Sequence, residues 1–104
     1  MTQAKALIRE VILLDNGRFE AHIKVYEVSN RNKFPDGFKV SCALVELGTG
    51  VLRLLLDNHQ PFGYHMHTKL PEDKSFRLSI YVLNHQEAIQ LFFKHAEKVF
   101  KNEK

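Results

Sequence analysis

The residues able to do chemistry crowd into one stretch, Leu56-Asp57-Asn58-His59-Gln60-Pro61-Phe62-Gly63-Tyr64-His65-Met66-His67, which holds three of the chain's six histidines. A carboxylate and a carboxamide come first, a Pro and a Gly interrupt the middle, and His-x-His closes it. Alternate side chains of an extended strand share a face, so His65 and His67 point the same way. Asp57 and His59 do likewise if the preceding strand persists that far. One turn could therefore converge Asp57, His59, His65 and His67. Imidazole gives or takes a proton near neutral pH, and a neighbouring carboxylate orients it and raises its pKa. Two imidazoles without a metal suffice to cleave RNA through its 2′-hydroxyl, one as base and one as acid. In that assignment His65 and His67 are the acid and base, and Asp57 orients an imidazole. Asn58 and His59 shape the turn and hold a phosphate oxygen, and Tyr64 adds contact surface. Arg53 and Lys69, with Arg9 and Arg77, contact phosphate if they share the cleft face. The same residue types also suit a metal, because His-x-His with Asp supplies three ligands. The plainer alternative is structural, since Asp-Asn at a strand end commonly bonds its own backbone.

The elements that must position this stretch read mostly as strands. Ala4 to Leu14 is apolar and β-rich, and Asp15-Asn16-Gly17-Arg18 follows, where Asn-Gly tolerates the positive φ of a type I′ hairpin turn. Phe19, Ala21, Ile23 and Val25 then alternate with Glu20, His22 and Lys24, a period of two that puts one face in the core. Ser29 to Gly37 is a polar connection with Pro-Asp-Gly turn chemistry. Phe38 to Leu44 alternates again, Gly48-Thr49-Gly50 turns, and the nearly all-apolar Val51 to Leu56 suits a strand near the sheet centre. A short fifth strand is expected between Tyr64 and Leu70, then a turn at Pro71 to Lys74. Ser75 to Tyr81 alternates too weakly to assign. From His85 to about Lys101 the period becomes helical. Asn84 serves as N-cap, Glu87 completes a capping-box pattern, and Ala88, Ile89, Phe92, Ala96, Val99 and Phe100 share a face. The expected fold is α+β: an antiparallel meander of four to five strands packed against one C-terminal helix, with 1–104 a single domain.

Composition sets the boundaries of function. At 104 residues, 44% hydrophobic and 26% charged, the chain has globular character and room for one core, too little for a doubly wound nucleotide-binding fold or a TIM barrel. The formal charge of +3 permits RNA or an acidic partner without requiring either. Cys42, the lone cysteine, excludes an intrachain disulfide and any multi-cysteine zinc site, and its apolar surroundings place it in the core. Arg9 and Glu10 break the first apolar run, which argues against a signal peptide, and no stretch approaches the roughly 20 apolar residues of a membrane span. A cytoplasmic protein is expected. Among the other histidines, His22 is expected to be solvated, His85 neutral and structural, and His95 half-buried. Lys94, Lys98, Lys101 and Lys104 read as a solvated helix face.

The Asp57 to His67 segment resembles the TumE-like toxins of bacterial and archaeal toxin–antitoxin pairs. Their mark is Tyr-Asp-Asn, a short Gly-Lys-Gly turn and His-x-His. Asp57-Asn58, Gly63, His65 and His67 stand at matching places. The likeness extends to the opening (Ala4, Lys5, Leu7, Arg9, Glu10), the turn at Gly17, Gly37-Phe38-Lys39 and the closing helix. Leu56 replaces the family's Tyr, Pro61 and Phe62 its Gly-Lys pair, and Met66 its usual Arg, which removes two cations suited to phosphate. The resemblance implies a toxin, suggests a ribonuclease needing no cofactor, and implies a cognate antitoxin of helix-turn-helix DNA-binding type. RNA is the expected substrate, with no membrane partner. A bare sheet face or edge strand would favour a homodimer. The alternative function is a non-catalytic module that binds protein or nucleic acid.

Overall fold

Asn16-Gly17 makes the first bend. The Arg18 N–H donates to the Asp15 carbonyl at 3.1 Å, and the two central residues have φ of 57° and 82°. Positive φ at both is what a type I′ turn demands, and its twist matches that of the strands it joins. The computed structural model describes residues 4–102. Its elements are β1 (Ala4–Leu14), β2 (Phe19–Val28), β3 (Phe38–Glu46), β4 (Val51–Asp57), β5 (His65–His67), β6 (Leu78–Ser79) and α1 (His85–Asn102). The strands pair antiparallel in the order β1-β2-β3-β4-β5-β6, so the fold is an α+β meander backed by one helix.

The sheet has six strands where sequence suggested four to five. The additional strand, β6, comes from the stretch without clear alternation, and only Leu78 and Ser79 join the ladder, too few to show a period. β5 is confined to the His-x-His itself.

Alternation decides which face is core. Phe19, Ala21, Ile23 and Val25 of β2, Val40, Cys42 and Leu44 of β3, Leu54 and Leu56 of β4, and Met66 of β5 are buried together with Ala88, Phe92 and Ala96 of α1. Burial of each large apolar side chain contributes about 1.5–3 kcal/mol. The helix is started by Asn84, whose Oδ1 accepts the Glu87 N–H at 3.0 Å, while Glu87 Oε1 accepts the Leu83 N–H at 2.9 Å. Two backbone donors that the helix cannot use are thereby satisfied. Near its other end Phe100 packs on Phe19 with ring centroids 4.9 Å apart. Cys42 is buried as expected, and burial pushes its thiol pKa up to about 12.

The opposite sheet face is covered by no helix among the described residues. The chain between β5 and β6 rims it instead: Leu70, Pro71 and Lys74 line a hollow with Leu52, Leu55 and His67. No described helix is long and apolar enough to cross a membrane.

Candidate functional site

Strand register carries the histidine segment onto the uncovered face. Leu56 pairs with Met66, both buried beneath α1, so their neighbours Asp57 and His65, also paired, stand on the other side. One continuous cross-strand row runs Arg9–Lys24–Ser41–Asp57–His65–Ser79 over all six strands. At about 4.8 Å per strand, Lys24 stands about 10 Å and Arg9 about 14 Å from Asp57. The adjacent row runs Val11–His22–Ala43–Leu55–His67.

Four side chains form the centre. His59 Nδ1 lies 3.0 Å from Asp57 Oδ2, and the Asn58 N–H donates to Asp57 Oδ1 at 2.7 Å. His65 is 1% exposed and its Nδ1 is 2.7 Å from the Gly63 carbonyl. A carbonyl only accepts, so the proton sits on Nδ1 and Nε2 keeps its lone pair. That Nε2 is buried without a hydrogen-bond partner. Burial holds the His65 imidazole below its ordinary pKa, outweighing the Gly63 carbonyl and the Asp57 charge, which favour the cation. The His65 ring stands edge-on to His59 at 5.3 Å and to His67 at 5.2 Å between centroids. A ligand atom of each of Asp57, His59 and His65 lies within 4.8 Å of the other two, so these three could hold a metal ion.

All four residues expected at the centre are brought together, and the structure names the imidazole that Asp57 contacts. It is His59, whose Nδ1 faces the Asp57 carboxylate. His59 is 42% exposed at its side chain and half-buried His67 reaches the rim of an apolar hollow of about 530 Å³. These are the two accessible imidazoles of the centre, while His65 lies beneath them.

The residues assigned to substrate contact divide. Asn58 is buried and serves the fold: its Oδ1 accepts the Val40 N–H at 2.9 Å and its Nδ2 donates to the Phe38 carbonyl at 2.7 Å. Tyr64 donates to Asp36 Oδ2 at 3.1 Å, and burial, then the Asp36 charge, push its phenol well above the usual range. Arg53 is skipped by the β3–β4 register and donates to Glu46 Oε1 at 3.1 Å, four residues along β4 from Asp57. Lys69 lies over the Phe76 ring at 4.3 Å. The remaining histidines are tied elsewhere: His22 bonds Glu20 at 2.6 Å, and the His85 ring packs tilted against Phe38 with centroids 5.0 Å apart. His95 is half-buried as expected. Lys94, Lys98 and Lys101 are exposed, and Lys104 lies outside the described residues.

Lys33 and Lys39 acquire significance only from the structure, and Arg77, a phosphate contact if it shared the cleft face, is brought to the centre by it. Lys33 and Lys39 line a second hollow, of about 430 Å³, with Asp57, His59 and Gln60. The Arg77 guanidinium lies 3.9 Å over the Phe62 ring, which itself packs edge-on against His59 at 5.8 Å and His65 at 5.6 Å. Phe62, at the place of the Lys in the TumE-like turn, therefore brings a cation to the centre by stacking. Met66 costs the face no cation either, because position 66 points into the core, where Met66 is 0% exposed. Comparison with protein-family models, with curated proteins and with solved structures finds no match.

Proposed function

We propose that this chain is an RNA-directed ribonuclease, the toxin half of a toxin–antitoxin pair, which cleaves by proton transfer between imidazoles and needs no metal for the step. The observation that carries the reading is the cross-strand row Arg9–Lys24–Ser41–Asp57–His65, which leads two cations across an open face to a carboxylate–imidazole pair. Cations spaced along a groove follow a phosphate backbone, and Lys33 and Lys39 extend the positive lining to His59. On the other flank the apolar hollow lined by Leu52, Leu55 and Leu70 offers a nucleobase an apolar surface beside His67.

His59, held at Nδ1 by Asp57, presents Nε2 as the general base toward a 2′-hydroxyl. The oxygen so freed attacks the adjacent phosphorus, and the P–O5′ bond breaks. His67 gives its proton to the departing 5′-oxygen, leaving a 2′,3′-cyclic phosphate and a free 5′-hydroxyl. His65 acts by position, as a buried ring against which both His59 and His67 rest. The toxin assignment and the cognate antitoxin come from the resemblance to TumE-like toxins, and a cytoplasmic setting is proposed with them. A homodimer through the β1 edge, where Val11 and Leu13 are exposed, belongs to the same proposal.

The test is RNA cleavage in excess EDTA by the wild type, His59→Ala and His67→Ala, beside growth of a bacterial host expressing each. The wild type is expected to arrest growth and leave cyclic-phosphate ends, with each variant slower by about 10²–10⁴-fold. Cleavage unchanged in both variants would overturn the mechanism. RNA binding without cleavage would support the second reading, a non-catalytic module, which the engagement of Asn58 and His65 in the fold favours.

A further inference from the structure

We infer that Asp57, His59 and His65 form a binding site for one divalent transition-metal cation of the zinc class. The inference stands apart from the ribonuclease reading and rests on the state of His65. A fully buried imidazole nitrogen with a lone pair and no partner leaves a polar atom desolvated for nothing in return, and such groups are rare without a role. A cation at Nε2 removes that cost. The rest of the ring is already in the arrangement of a ligand, since metal-binding histidines almost always donate their other N–H to a carbonyl, carboxylate or water. Gly63 O is that acceptor, at 2.7 Å.

Asp57 is fixed by the Asn58 N–H at 2.7 Å and already lies 3.0 Å from His59 Nδ1. Tetrahedral coordination with bonds of about 2.0–2.1 Å sets donor atoms about 3.4 Å apart. Donor atoms within 4.8 Å of one another therefore need to close by about 1.4 Å or less. His59 is partly exposed and can make that adjustment by side-chain rotation. Two imidazoles and one carboxylate suit zinc, nickel, copper or iron(II) rather than magnesium or calcium, which take oxygen ligands. Three protein ligands beside solvent leave a fourth position for water.

The experiment is calorimetric titration of tag-free, EDTA-stripped and desalted protein with Zn²⁺ in the absence of RNA. Asp57→Asn, His59→Ala and, as a control on the same face, His22→Ala are titrated alongside. One equivalent is expected to bind, weakened by about 10–100-fold or more in Asp57→Asn and in His59→Ala. His22→Ala is expected to bind like the wild type, and Mg²⁺ to give no heat. Both informative variants alter partly exposed side chains, so the test does not depend on whether a His65 variant folds. Co²⁺ is expected to produce a visible ligand-field band that Zn²⁺ displaces. No uptake, uptake unaffected in both variants, or uptake lost in His22→Ala would overturn the site. Because cleavage is measured in EDTA and metal uptake without RNA, either idea can fail alone. If both hold, Zn²⁺ inhibits cleavage by withdrawing His59 from proton transfer.

Discussion

Replacing Asn58 with Ala tests whether this residue belongs to the fold or to the substrate. The carboxamide accepts the Val40 N–H at 2.9 Å and donates to the Phe38 carbonyl at 2.7 Å, and it is 3% exposed. The last β3–β4 register pair is Ser41 with Asp57, so Asn58 carries the β3 hydrogen bonding one step beyond the end of β4. Val40 is wholly buried, and leaving its N–H without a partner costs about 1–3 kcal/mol. Phe38 is only half-buried, so its carbonyl regains some water and the loss there is about 0.5–1.5 kcal/mol. The sum, about 1.5–4.5 kcal/mol, corresponds to a fall in Tm of about 6–36 °C for a domain of this size. Urea unfolding followed by far-ultraviolet circular dichroism measures it, with the slope m expected to be unchanged. Asn58→Asp adds a sign. Its carboxylate still accepts from Val40, but a charged oxygen faces the Phe38 carbonyl, which only the protonated acid can satisfy. The folded-state pKa is then raised, so the variant is expected to lose stability as pH rises through it. An Asn58→Ala variant within about 1 kcal/mol of wild type would refute the account and return Asn58 to the list of substrate contacts.

Two further outcomes follow from local geometry. His95 is pushed below its ordinary pKa by burial and by the Lys98 charge, so the unfolded chain takes up its proton first as pH falls. Its contribution is present above the ordinary imidazole pKa of roughly 6.5 and is lost below it. Tm is expected to fall less steeply below that value in His95→Gln than in wild type, and superimposable Tm–pH curves would contradict this. Gly17 has φ of 82° with nothing near the Cβ that Ala would add, so Gly17→Ala is expected to cost about 1–2 kcal/mol from backbone strain alone. Gly48 is equally open but lacks positive φ, so Gly48→Ala is expected to stay within about 0.5 kcal/mol of wild type, and equal effects would remove the argument.

What could be read directly from the amino acids was whatever a local period or a short turn motif encodes. The Asn16-Gly17 hairpin, the alternation of β2 and β3 and the capped amphipathic helix all depend on neighbours in sequence, and they stand where expected. β6 was illegible because two paired residues have no period. In the site, the company of Asp57, His59, His65 and His67 was legible because one turn separates them. The choices each side chain makes were not. Tyr64 finds Asp36 at a separation of 28 residues and Asn58 finds Val40 at 18, partners that only the folded sheet supplies. Arg53 was a plausible phosphate contact until a register shift beside Leu44 gave it Glu46. Lys24 looked like an ordinary solvated strand residue and Arg9 a phosphate contact only if it shared the cleft face, and only the register sets both in line with Asp57.

The core and the candidate site are therefore products of one alternation. Leu56 and Met66 pair beneath α1, and Asp57 and His65 pair directly beside them on the other face. A one-residue slip between β4 and the neighbouring strands would exchange the two sets, putting a carboxylate under the helix and leucine in the open. The cost of burying that charge is what fixes the register, and Asn58 reinforces it by bonding β3 on both sides of Lys39. This also explains how Met66 can sit between two histidines without weakening the face they form. Its side chain contributes apolar volume where the helix needs it, with no exposure at all. The positive charge of the site is supplied instead from neighbouring strands and from Arg77 stacked on Phe62. In the proposed ribonuclease, recognition of an anionic chain would depend on the sheet as a whole, and chemistry on the one turn between β4 and β5.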